Sequence, residues 1–246
     1  MKFFALFALI FSAGAGAASA QGIDLGALTG PRTGQTTGQI IQLFGLLTVL
    51  SLAPGIIVVL TSFTRFIIAF SILRMGIGLQ TTPANLILIS LSLFMTFHVM
   101  SPVFNQAWDD GLKPLVEGEM SEPEAMARIV APFKGFMVKN VREKDLILFS
   151  DIAQEKDPTF TPDEQDIALR IIVPAFMISE IRRGFEIGFL LLVPFLVIDL
   201  IVATITMAMG MMMLPPTVVA LPFKILFFIL IDGWNLLVGS MMRSFL

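Results

Sequence analysis

The sequence predicts an all-α, membrane-associated protein that carries a small soluble helical insert. Three observations lead there. First, 56% of the 246 residues are hydrophobic and only 14% are charged, against about 45–50% and 25% in soluble domains. Second, long apolar stretches occur on both sides of one polar stretch. Third, 22 of the 35 charged residues fall in that stretch, residues 105–170. Whole function classes drop out at the same stage. The chain has no Cys and one His, so thiolate metal sites, disulfide scaffolds and poly-His centres are excluded. A net charge of −3 without a basic run argues against nucleic-acid binding. No phosphate loop, zinc-protease motif or serine triad pattern is present, so no enzyme and no cofactor are expected.

The elements follow in order. Residues 1–20 read as a cleavable secretory signal: Lys2, an apolar run from Phe3 to Phe11, and the small-x-small site Ala18-Ser19-Ala20. Residues 21–104 form a leader and a first apolar helical hairpin. Its arms are Ile40 to Leu60, kinked at Pro54-Gly55, and Ala84 to Phe104, without a formal charge. Each is long enough to cross a hydrocarbon core of about 30 Å. The connection between them carries Arg65 and Arg74.

Residues 105–170 hold 14 acidic and 8 basic side chains. Ser121-Glu122-Pro123-Glu124 and Thr161-Pro162-Asp163-Glu164 each read as a helix start: an N-cap, a Pro in the first turn and a Glu at N3. Two or three short helices and no sheet are expected. Residues 171–246 return to apolar sequence as a second hairpin, Ile187 to Leu214 and Thr217 to Met242, with Pro215-Pro216 between its arms. A cleaved signal and the positive-inside rule together put the insert on the periplasmic side and Arg65 and Arg74 on the cytoplasmic side.

Charge inside apolar sequence is expensive, about 2.5–3.5 kcal/mol at a bilayer centre. Arg65, Arg74, Asp199 and Asp232 are therefore candidate buried charges, and Glu180 and Lys224 share that setting. Arg182 and Glu186 have the spacing of a local helical pair. His98 sits on an apolar helix, where hydrogen-bonded packing is its ordinary use. The sharpest local anomaly is Met207-Ala208-Met209-Gly210-Met211-Met212-Met213-Leu214-Pro215-Pro216, with five Met in seven residues beside a forced turn. Unbranched, polarizable Met adapts to irregular surfaces, so this stretch reads either as loop filler or as a compliant apolar seal.

Several motifs, in order, resemble the FliP family of flagellar type III export-gate proteins. They are Thr61-Ser62-Phe63-Thr64-Arg65, Thr82-Pro83-Ala84-Asn85, Phe97-His98-Val99-Met100-Ser101-Pro102, Met209 to Pro216, Leu221-Pro222-Phe223-Lys224, and Asp232-Gly233-Trp234-Asn235-Leu236 through Ser240. The resemblance implies bent helical hairpins in a homo-oligomer. It implies assembly with FliQ-like and FliR-like subunits, contact with FlhB-like and FlhA-like export proteins and with lipid, and no nucleic acid. Such a complex, in the inner membrane within the flagellar basal body, passes unfolded flagellar subunits.

Carried onto this sequence, the resemblance makes Met209, Met211, Met212 and Met213 the pore seal. It gives Glu180 and Lys224 contacts between subunits, and Phe136, Arg142 and Phe149 a part in assembly. His98 takes no role from it. The alternatives at this stage are a proton- or ion-coupled transporter using Asp199, Lys224 and Asp232, the equivalent subunit of a virulence injectisome, and an assembly factor that lines no pore.

Overall fold

The computed structural model describes residues 44, 47, 48, 51, 55, 58–156, 167–210 and 215–245. The chain divides into two units, Met1–Ala53 and Pro54–Leu246. In the first, Phe44, Leu47, Thr48 and Ser51 are helical, and Thr48 Oγ1 donates to the Phe44 carbonyl at 2.7 Å. The expected signal, most of Ile40 to Leu60, and the helix start at Thr161 lie outside the described residues.

The second unit is helical, with no strand among the described residues. We number its helices α1 Phe63–Ile77, α2 Asn85–Ala107, α3 Lys113–Val116, α4 Glu122–Asn140, α5 Glu143–Lys156, α6 Leu169–Ala208, α7 Pro216–Leu230 and α8 Gly233–Arg243. A π-helical turn, Trp108–Leu112, joins α2 to α3 without a break.

The connection expected between two apolar spans is the centre of the packing. α1 lies along α6 and also touches α2 and α7. Small residues make the approach close, as at helix pairs in membranes. A Cβ on Gly184 would lie 3.0 Å from Ile68 Cβ, and one on Gly188 only 2.5 Å from Ile72 Cδ1. Further along the seam the roles reverse, and Gly76 of α1 receives Leu192 of α6. Phe66, Phe70, Leu73 and Ile77 of α1 then form one core with Leu88 and Met95 of α2, Phe195 of α6, Phe228 of α7, and Leu237 and Met241 of α8. Met137 of α4 builds a second, smaller core with Ile172 and Phe176 of α6.

Of the insert's two helix-start signals, the one within the described residues is met. Ser121 is the N-cap of α4, with Pro123 in the first turn and Glu122 and Glu124 beside it, although the Ser121 side chain makes no cap bond. α4 packs on α2 and α6, and α5 packs on α6.

Among the described residues, two helical stretches are long and apolar enough to cross a membrane, Asn85–Val116 and Leu169–Ala208; a third arises if α7 and α8 count as one broken span. The expected third arm is longer than the sequence suggested. α6 starts at Leu169 and runs through Pro174 and Pro194 for 40 residues. At 1.5 Å per residue it is about 60 Å long, roughly twice a hydrocarbon core. The expected fourth arm is broken, because α7 and α8 meet at 62°. Asp232 at that break has φ +51°, a left-handed conformation that Asp tolerates better than most residues. Gly233 follows because a Cβ there would sit 2.2 Å from the Phe228 ring.

Candidate functional site

Two ion pairs hold α6 and α7 to α1. The first is sealed. Arg65 is 1% exposed and Glu180 0% exposed. Arg65 Nε donates to Glu180 Oε2 at 2.9 Å, and Nη2 donates to Glu180 Oε1. This is the forked geometry in which a guanidinium matches a carboxylate. Arg65 Nη1 donates to the Ser244 hydroxyl at 2.9 Å and to the Ser244 carbonyl at 3.3 Å. The Phe245 ring lies over the guanidinium, 3.6 Å from Cζ to its centroid. Arg65 therefore ties together α1, α6 and the residues after α8. Phe136 extends this cluster, stacking on Phe245 at 6.1 Å and meeting Phe176 edge-on at 5.8 Å.

The second pair lies toward the other end of α1. Lys224 Nζ is 2.6 Å from Asp199 Oδ2 and donates to the Gly76 carbonyl at 3.0 Å. Lys224 is 5% exposed, Asp199 is half-buried, and Asp199 Oδ1 has no hydrogen-bond partner among the described residues. α6 and α7 also pack against each other. Met207 and Met209 are largely exposed near the end of α6, and Met209 is 60% exposed. Gly210 follows at φ +71°, where a residue without Cβ lets the chain leave the helix. Met211, Met212 and Met213 lie outside the described residues.

The other candidate residues separate from these. Arg74 is half-buried at the end of α1 and bonds to Asn85 and, at 3.3 Å, to the Pro83 carbonyl. Asp232, expected among the buried charges, is exposed, because it occupies the outer corner between α7 and α8. Arg142 sits at the α4–α5 junction. Its backbone N–H donates to Ser179 Oγ at 3.1 Å, and its buried Nη1 lacks an acceptor among the described residues. Phe149 is half-buried on α5. His98 is exposed and lines a cleft of about 740 Å³ with Gln106, Phe136, Lys139, Asn140 and Phe245. Arg182 and Glu186 form the expected local pair, 2.9 Å apart and exposed.

Glu180 and Lys224 were expected to reach neighbouring copies, with a direct pairing between them as one form of that contact. Within the chain each has another partner, Arg65 and Asp199. Sequence reasoning missed those two partnerships, the Gly76 carbonyl, and the hold on Ser244 and Phe245. None of them has a short-range signal. It also missed the seam and the broken arm, for which signals exist: Gly184-x-x-x-Gly188 is a small-residue repeat, and Asp232-Gly233 is a turn dipeptide.

Among the described residues no group of three metal-ligating side chains comes together. The arrangement is instead a helical scaffold of a membrane-capable protein, with an apolar hairpin held at two charged points. The sequence assigns that scaffold: residues 46–241 match the FliP family model, and the chain belongs to the FliP family. It is 63% identical over 243 residues to the flagellar biosynthetic protein FliP of Rhizobium meliloti (strain 1021), covering 99% of both chains. The protein of the same name from Agrobacterium fabrum is 64% identical over 212 residues, 86% of each chain. The one from Bacillus subtilis is 45% identical over 211 residues, 86% of this chain and 94% of that one.

Proposed function

We propose that this chain is a pore-forming subunit of the flagellar type III protein export gate, passing unfolded flagellar subunits across the bacterial inner membrane. The relatives are named flagellar biosynthetic proteins. The observation that carries the pore reading is the α6–α7 hairpin. Its outer faces present Phe189, Leu190, Leu200, Phe223, Ile229 and Leu230 in exposed positions. An apolar surface of that extent needs lipid or other subunits to cover it. Its joining segment carries Met209 and the methionines at 211–213.

Several copies around an axis, with FliQ-like and FliR-like subunits and in contact with FlhB-like and FlhA-like proteins, bring these segments together. Thioethers in a narrow lumen exclude water and ions by dewetting and repack around varied polypeptides. Glu180 and Lys224 serve assembly by fixing, through Arg65 and Asp199, the faces that neighbouring copies meet; Phe136, Arg142 and Phe149 do so from the insert, on the periplasmic side. The subunit itself catalyses nothing, and export energy comes from other components.

The test is a photo-crosslinker at position 209 in cells carrying an export substrate stalled by a folded tail. The proposal expects a crosslink to the substrate that disappears when the substrate is absent. An assembled complex that crosslinks only to its own subunits would reject the pore reading.

A further inference from the structure

The C-terminal end of α1 has an unusual division of labour. An α-helix leaves its last four carbonyls without intrahelical partners. In α1 these include Arg74, Met75 and Gly76. Gly78, at φ +91°, turns the chain so that its own N–H meets the Met75 carbonyl at 3.0 Å and the Leu79 N–H meets the Arg74 carbonyl at 3.2 Å. That is the glycine-terminated cap helices commonly use. The Gly76 carbonyl is satisfied from another helix, by Lys224 Nζ at 3.0 Å. A cation there also meets the negative end of the α1 dipole.

We infer that Lys224 is the cap of α1, and that through Asp199 it ties both arms of the hairpin to that helix end, so that this three-way tie positions Met209 at the end of α6. Asp199 lies nine residues before Ala208, about 14 Å along α6, and Lys224 lies eight residues after Pro216, about 12 Å along α7. The two tie points therefore lie at nearly equal distances from the facing ends of α6 and α7. Without the cap, the arms lose their shared reference to α1, and the end of α6 that carries Met209 loses it with them. This rests on the pore reading for its consequence but not for its geometry.

A simple ion pair and a cap predict different results for a charge swap. Placing Lys at 199 and Asp at 224 preserves the pair. It also moves the ammonium from α7 to α6 and leaves the shorter side chain at 224 without a donor for the Gly76 carbonyl, so the cap from α7 is not restored. The experiment compares wild type, Asp199→Asn, Lys224→Met and the double variant Asp199→Lys/Lys224→Asp. The first readout is amide hydrogen exchange at Gly78 and Leu79 in the purified chain. Lys224→Met and the swap should both raise it about tenfold, with Asp199→Asn intermediate. The second is small-solute leak per assembled complex, which should rise in the same order.

Wild-type exchange in the swapped protein would overturn the cap, whatever the leak. Raised exchange with no added leak per complex would overturn the positioning role and leave the cap in place. If the methionine segment is itself no seal, replacing its methionines will change nothing, which separates failure of the pore reading from failure of this one.

Discussion

In α1, eight of fifteen residues are buried, among them Arg65. In α6, the longer helix that packs along it, eleven of forty are buried. Hydrophobic burial alone would reverse this order, because α6 contains one of the most apolar stretches of the chain and α1 carries two arginines. The difference teaches that within one subunit of a membrane assembly apolar character and burial are separate quantities. α1 is central because each polar group it brings has a dedicated partner. Much of α6 is exposed because its apolar surface suits lipid or other subunits.

The largest effect should come from breaking the sealed pair in α1. Removing one member of a buried pair leaves an uncompensated charge and costs about 3–5 kcal/mol. Arg65→Ala should therefore abolish accumulation of folded chain, measured by thermal unfolding of the detergent-purified protein and by its level in membranes. Arg65→Met with Glu180→Leu, which removes both charges, should recover a large part of the loss. If Arg65→Ala alone proves neutral, α1 is not organised around its charge.

The seam between the two regions gives a smaller effect. Gly188→Ala places a methyl against Ile72, where the space is already filled, and should cost about 1–3 kcal/mol. Gly135 in α4 has nothing within 4 Å of the same position. Gly135→Ala should instead stabilise by about 0.5–1 kcal/mol through helix propensity. Thermal melts of the two variants should move in opposite directions; a shift in the same direction would break the account of the seam.

Smallest in the isolated chain are changes to the outer face of α6. Leu190→Asn alters a residue that is 70% exposed, and Arg182→Ala removes an exposed local pair. Each should change chain stability by no more than about 0.5 kcal/mol. In membranes they should part company, with Leu190→Asn lowering the yield of assembled complex and Arg182→Ala leaving it unchanged. Equal yields would mean that this face needs no apolar cover.

What was legible in the sequence was local. Helical class, the start of α4 at Ser121, the Arg182–Glu186 pair and the start of α7 at Pro215-Pro216 all rest on residues a few positions apart. The chemistry of the buried charges was legible too, since Arg65 and Lys224 in apolar surroundings must find partners. Their partners were not. Glu180 is 115 residues from Arg65 and the Gly76 carbonyl 148 from Lys224, and no periodicity relates positions so far apart. Backbone carbonyls leave no mark in a sequence at all. The central place of α1 was hidden for the same reason, because a helix with two arginines reads as a connection until their partners are known.

The claim that joins these regions is that the scaffold built on α1 holds a methionine segment where it closes a pore. Its most direct test replaces Met211, Met212 and Met213 with Ala and measures membrane conductance or small-solute uptake in cells making the variant, after confirming that complexes assemble. The triple variant should leak ions or small solutes, with export reduced less than sealing. An assembled triple variant as tight as wild type would contradict the claim and return the segment to ordinary packing.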